Sequence, residues 1–116
     1  MTQEDKQLLL KDLCARLPYG VKFQGEDSNV YTLDAANYFA LQVEDVVFKP
    51  YLRSMSSMTE EEKDELLNLR KEMNMHMHPW IDRILDFYLS HHLDWRGLIL
   101  LGLALEAPEG MYKAKQ

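Results

Sequence analysis

The spacing of apolar residues changes twice along this chain, and each change falls on a signal that ends or begins a helix. Leu10, Leu13 and Leu17 recur at helical spacing with Leu9 and Cys14 beside them, and Pro18 and Gly20 then stop the pattern. Val21 and Phe23 next alternate with Lys22 and Gln24, which is strand spacing. Helical spacing resumes after Thr59. Such a chain must build an α+β fold: an N-terminal helix, a small curled antiparallel sheet of three or four short strands, then two or three C-terminal helices.

Local signals place the elements. Thr2, with Asp5 three residues on, caps the first helix. Cys14 reads as a small buried apolar residue, while Lys6, Lys11, Asp12 and Arg16 read as the solvent side. Residues 25–29 form a turn by composition, between a strand at 21–24 and one at 30–33. Phe39, Leu41 and Val43 alternate with polar or small residues and predict a third strand, with residues 34–37 as its connection. A fourth short strand is expected at 46–48, ended by Pro50. Residues 54–57 make a linker. Thr59 and Glu62 form a second capping box for a helix running to about Met73.

Met73, Met75 and Met77 then alternate with Asn74, His76 and His78, the pattern of an extended link or a frayed helix end. Pro79 suits the first turn of a following helix, whose apolar face runs from Trp80 and Ile81 through Ile84 and Leu85 to Tyr88 and Leu89. The last segment is apolar but broken by Gly97 and Gly102, each costing about 1 kcal/mol in a helix relative to Ala. A helix with Leu98, Leu101 and Leu105 on one stripe and a short helix followed by a packed extended tail both fit it. The expected organisation is a single domain over residues 1–116, with helix and sheet in 1–53 and the helical part in 59–112.

Charge and cysteine content narrow the function classes. Thirteen Lys and Arg face nineteen Asp and Glu, for a net charge of −6. That balance disfavours binding to a nucleic-acid backbone. The single cysteine excludes an internal disulfide and a cysteine-built zinc site. No apolar run approaches the roughly 20 residues that span a bilayer, so no membrane association is expected. The polar, acidic start at residues 1–5 has the wrong character for a secretory signal. The expectation is a soluble protein of a reducing compartment, the cytoplasm.

Four blocks resemble the signatures of a family of short uncharacterised proteins found in gut anaerobes, their phages and mobile elements. The first is Leu13-Cys14-Ala15-Arg16-Leu17-Pro18-Tyr19-Gly20-Val21-Lys22. The second is Lys49-Pro50-Tyr51-Leu52-Arg53 with Ser56-Ser57-Met58-Thr59-Glu60-Glu61-Glu62. The third is Leu89-Ser90-His91-His92-Leu93-Asp94-Trp95-Arg96-Gly97-Leu98-Ile99. The ending is Gly102-Leu103-Ala104-Leu105-Glu106-Ala107-Pro108-Glu109-Gly110-Met111-Tyr112. The resemblance implies kinship and, through the phage and mobile-element members, a host-directed role, but no assigned activity. The chain departs from the family pattern in its short strand region and at Leu100-Leu101, where relatives often carry a charge.

Several constellations are candidates for chemistry. His76, His78, His91 and His92 form the best metal candidate, because imidazoles suit zinc, copper or nickel and residues two apart on a strand share a side. Asp94 is a further ligand candidate, and also a cap for a final helix. The competing structural reading makes the histidines a helix end. Trp95 and Arg96 are types enriched at binding hot spots. Met75 and Met77, with Met55, Met58 and Met73, could line an adaptable groove or fill the core. Tyr19, Tyr31, Tyr38, Tyr51 and Phe48 surround the strands, where aromatics can stack bases. No phosphate-binding glycine loop and no nucleophile elbow is present. The favoured reading is a non-enzymatic protein-interaction or regulatory module with no cofactor and an unidentified protein partner. A metal-dependent enzyme or metal-binding protein and a nucleic-acid-binding module are the alternatives, and self-association stays open.

Overall fold

The computed structural model describes residues 2–43, 48–75 and 77–112, without side chains for 43, 73–75 and 77–81. Helix α1 spans Gln3–Arg16 and a 3-10 turn follows at Leu17–Tyr19. The capping box forms at its start: Asp5 N–H donates to Thr2 Oγ1 at 3.0 Å, and Thr2 N–H donates to the Asp5 carboxylate at 3.4 Å. Strand β1 spans Lys22–Gln24 and β2 spans Val30–Thr32. Helix α2 spans Ala35–Val43, β3 Lys49–Leu52, and a 3-10 turn Met55–Ser57. Helices α3 and α4 span Glu60–Met75 and Met77–Ser90, and β4 is Leu105–Glu106.

The sheet is open, in the order β2-β1-β3-β4. β1 pairs antiparallel with β2 and β3, whereas β3 and β4 run parallel. The all-antiparallel expectation is corrected at that edge, where the chain returns from α4 before entering the sheet. Pro50 lies inside β3 rather than ending it. Its partner is Phe23. Leu33 N–H donates to Val21 O and Gly25 N–H to Asn29 O. By alternation Phe23 also bonds toward β2, so the ladder asks for no N–H from Pro50.

Residues 35–43 are helical where alternation predicted a strand. Three alternating positions are too few to fix a period, and the deciding signal is a cap. Asn37 N–H donates to the Asp34 carboxylate, and Asp34 N–H to Asn37 Oδ1, both at 2.8 Å. Tyr38 and Leu41, three apart, then pack inward, and Phe39 stays 64% exposed. Of the expected strand at 46–48, residues 46 and 47 lie outside the described residues and Phe48 is coil, buried in the core. Residues 73–75 continue α3 and 77 begins α4, so the extended reading of the methionine alternation does not hold for them. His76 lies outside the described residues.

The main core joins α1, the sheet, α2 and the tail: Leu9, Leu13, Val21, Phe23, Leu41, Phe48, Leu52, Leu98 and Leu103 are all buried. A smaller cluster of Leu66, Phe87 and Leu93 holds α3 to α4. Two expectations for α1 are overturned. Asp12 and Arg16 are completely buried, and Cys14 is exposed. Among its described residues the tail forms no helix, and its extended part pairs with β3 as β4. Asp94 accepts N–H bonds from Leu98 at 2.8 Å and Ile99 at 2.9 Å, and Gly97 and Gly102 take φ of 77°. Left-handed glycines at both ends fold residues 97–102 into a tight turn instead.

Candidate functional site

Of the residues singled out in the sequence, His91, His92, Asp94, Trp95 and Arg96 gather just past the end of α4, whereas Met77 and His78 lie at its beginning. The chain leaves α4 through a left-handed residue, His92, with φ of 59°. Leu93 N–H donates to Tyr88 O and His92 N–H to Leu89 O, the two bonds of a Schellman closure. This turn sends the two neighbouring histidines into different surroundings. His91 Nδ1 lies 2.8 Å from Glu62 Oε2, and its Nε2 lies 3.8 Å from Glu65. His92 stacks on Tyr112, with ring centroids 3.8 Å apart. Burial among Arg16, Arg53, His91 and Lys22 pushes the His92 imidazole down to about 4, so the ring is neutral near pH 7.

Arg53 is the centre of this hub. Its guanidinium grips Glu62 with two bonds of 2.7 and 2.8 Å, and donates to His91 O and Ser57 O as well. Its backbone accepts from Asp94 N–H and donates to His92 O, both at 2.8 Å. The Arg53 guanidinium, helped by Thr59 N–H, holds the Glu62 carboxyl down to about 2. The capping box of α3 therefore doubles as an ion-pair anchor.

A second charged set lies under the same segment. Arg16 Nε donates to Asp12 at 2.7 Å and Arg16 Nη2 to Leu93 O at 2.8 Å, with both side chains fully buried. Arg96 Nε reaches the same carboxylate at 3.1 Å. Asp94 is occupied with the turn that follows it. Arg96 also lies 4.2 Å above the Trp95 ring, which stacks on Tyr88. Trp95 and Arg96 are thus held by internal contacts. Met75 and His78 lie in α3 and α4, as does Met77, but their side chains lie outside the described residues. Among the described residues no group of three or more His, Cys, Asp and Glu is placed to hold a metal ion.

An open cleft of about 420 Å³ lies beside the hub, lined by Arg53, Ser57, Thr59, Glu62 and Tyr112 and by residues 106–110. Tyr112 closes one end by accepting from Lys22 N–H at 2.8 Å and donating to Tyr51 O at 2.7 Å. Burial pushes its hydroxyl up to about 12, so it stays a donor. Of the aromatics around the strands, Tyr38 donates to Leu10 O, and Tyr51 accepts from Gln24 inside the sheet. Tyr31 is the large exposed one, at 41%.

The feature that sequence reasoning missed is the exposed turn. Leu100 is 95% exposed and Leu101 59%, although Leu98 and Leu103 on either side are buried. The glycines at 97 and 102 were the available signal. They read as weakened helix, but they mark the two ends of a projecting turn. No helix among the described residues is long and apolar enough to cross a membrane. No family model, curated protein or solved structure matches this chain.

Proposed function

We propose that the chain is a non-enzymatic interaction module of the cytoplasm, with the Leu100-Leu101 turn as its contact point. One observation carries this reading: two adjacent leucines project from a turn that is itself braced. Leu103 N–H donates to Leu98 O, Gly102 N–H to Ile99 O and Leu101 N–H to Gly97 O. Asp94 fixes the start of the turn through two further bonds. A braced turn loses little freedom on binding, so most of the gain from burying the leucines is kept. Covering both would contribute about 2–5 kcal/mol at the usual rate for a leucine side chain, since Leu101 is already partly covered. The histidine and arginine hub serves this reading as the frame that holds the turn. The resemblance to proteins of phages and mobile elements supports a target in the host.

The test compares the wild-type chain with a Leu100→Asp/Leu101→Asp variant as bait in host lysate. The two positions are exposed, so the variant is expected to melt at the wild-type temperature and to lose the stoichiometric partner. Equal recovery of that partner by both chains would place the contact elsewhere. Sedimentation at several concentrations separates a foreign partner from a second copy.

A further inference from the structure

The opposite end of the sheet carries a pocket that neither the hub nor the leucine turn uses. β1 meets the beginning of β3 there, through Gln24 and Lys49, while Arg53 lies past the other end of β3. Phe23, Leu41 and Phe48, all at most 6% exposed, form the floor. The Phe23 ring sits edge-on to Phe48 at 6.4 Å and 5.6 Å from Tyr31. Tyr31 is the wall, and Gly25 makes room for it. A Cβ at position 25 would stand 2.9 Å from Tyr31 Cε2, so a side chain there would displace the ring. The space is a shallow, open depression of about 320 Å³, enough to seat a small organic group.

A carboxylate stands at the mouth. Asp27 accepts from Asn29 N–H at 3.1 Å, from Asn29 Nδ2 at 3.0 Å and from the Tyr31 hydroxyl at 2.5 Å. All three donors are neutral, so they orient the carboxylate and leave its charge uncompensated. The Tyr31 hydroxyl and Asn29 N–H hold that carboxyl below its usual range, keeping it ionised. Glu26 is the other charged residue of the lining, and it has the same sign. The depression on the other side of Gly25 and Phe48 carries Lys49, whereas among the described residues no Lys or Arg lines the side bounded by Tyr31.

Aromatic surface beside an uncompensated carboxylate selects for a positive charge on an apolar stem. A phosphate-bearing ligand would meet Asp27, Glu26 and a chain of net charge −6. A neutral apolar ligand would leave Asp27 unused. We propose that this pocket binds an organic cation, an ammonium or guanidinium group, seated against Tyr31 with its charge on Asp27. The group is either a Lys or Arg side chain of a partner or a small free amine.

The experiment follows the backbone amides of the chain by NMR during titration with benzylammonium, Nα-acetyl-arginine amide and the neutral benzyl alcohol. Both cations are expected to shift the 23–31 hairpin saturably, with at least about tenfold weaker binding in Asp27→Asn. Tyr31→Leu keeps the carboxylate and removes the ring, and is expected to weaken both cations. It serves as the second variant if Asp27→Asn loosens the turn. Tighter binding of acetyl-arginine amide points to a partner's side chain, and tighter binding of benzylammonium to a free amine. Benzyl alcohol binding as tightly as benzylammonium, or no saturable shift with either cation by about 10 mM, overturns the proposal.

Discussion

Replacing Asp12 by alanine tests whether the buried charges of α1 act as one unit. The carboxylate is fully buried and takes bonds from two arginines: Arg16 at 2.7 Å and Arg96 at 3.1 Å. Its removal leaves the Arg16 guanidinium, also fully buried, with Leu93 O as its remaining acceptor at 2.8 Å. Breaking a buried pair from one side costs about 3–5 kcal/mol, because a charge is left without compensation. A domain of this size holds about 5–15 kcal/mol in total. The loss is therefore a large share of the whole. With a urea slope of about 2 kcal/mol per molar, the unfolding midpoint should fall by about 2 M. Circular dichroism against urea reads this directly. The control is Asp12→Leu with Arg16→Met, which fills the same space with apolar groups. It should recover most of the loss, since exchange of a buried pair for apolar residues is often neutral. Arg96 keeps its place over Trp95 in that variant. A single variant within about 1 kcal/mol of wild type, or a double variant no better than the single, would refute the reasoning.

Thr59→Ala removes the hydroxyl that accepts Glu62 N–H at 3.2 Å, and should cost about 1 kcal/mol in a thermal melt. Gly25→Ala should cost about 1–2 kcal/mol by crowding the Tyr31 ring, with the aromatic proton shifts of Tyr31 reporting its displacement. His92 gives a pH signature. Its imidazole is pushed from 6.5 down to about 4 by burial and surrounding cations, so the folded chain binds fewer protons than the unfolded one between those values. Stability from this residue is complete above pH 6.5 and falls as the pH drops toward 4. Asparagine tolerates the left-handed backbone there, so His92→Asn should flatten the decline measured by urea melts between pH 6.5 and 5. Glu62 titrates lower, from 4.5 toward about 2, and leaves that window clear. An unchanged slope in the variant would count against a neutral, buried His92.

The parts of the fold that were legible are those decided within four or five residues. Thr2 with Asp5 and Thr59 with Glu62 announce their helices because cap and acceptor are three apart. The 25–29 turn announces its hairpin for the same reason. Helix α2 was equally local, but its announcement was read as a connection. Asp34 and Asn37 close a box around each other's N–H groups, and that box outweighs three alternating side chains. The buried charges were not legible. An Asp and an Arg four apart look like any solvated helix pair. What buries them arrives from Leu93 and Arg96, 77 and 84 residues further along the chain. β4 was hidden similarly, since a two-residue parallel strand exists only through its partner. His91, His92, Trp95 and Arg96 are neighbours in the sequence, but their directions depend on the left-handed turn at His92.

The positions of the four signature blocks bear on where function should be sought. Arg16 and Tyr19 come from the first block, Arg53 and Glu62 from the second, His91 to Arg96 from the third and Tyr112 from the ending. Their charged and aromatic groups bond mainly to one another and to the backbone around the end of α4. Those residues act as architecture, and a likeness carried by them would report a shared frame rather than a shared activity. The two surfaces proposed for binding lie between the blocks. Leu100 and Leu101 fall between the third block and the ending. Asp27 and Tyr31 fall between the first and second. Substitution at either place leaves the hub intact, so a change in binding there can be separated from a change in stability. The two surfaces also call for opposite chemistry, since a leucine pair asks for an apolar recess and the Asp27 pocket for a positive charge. A single variant at each site can therefore assign a ligand to one without disturbing the other.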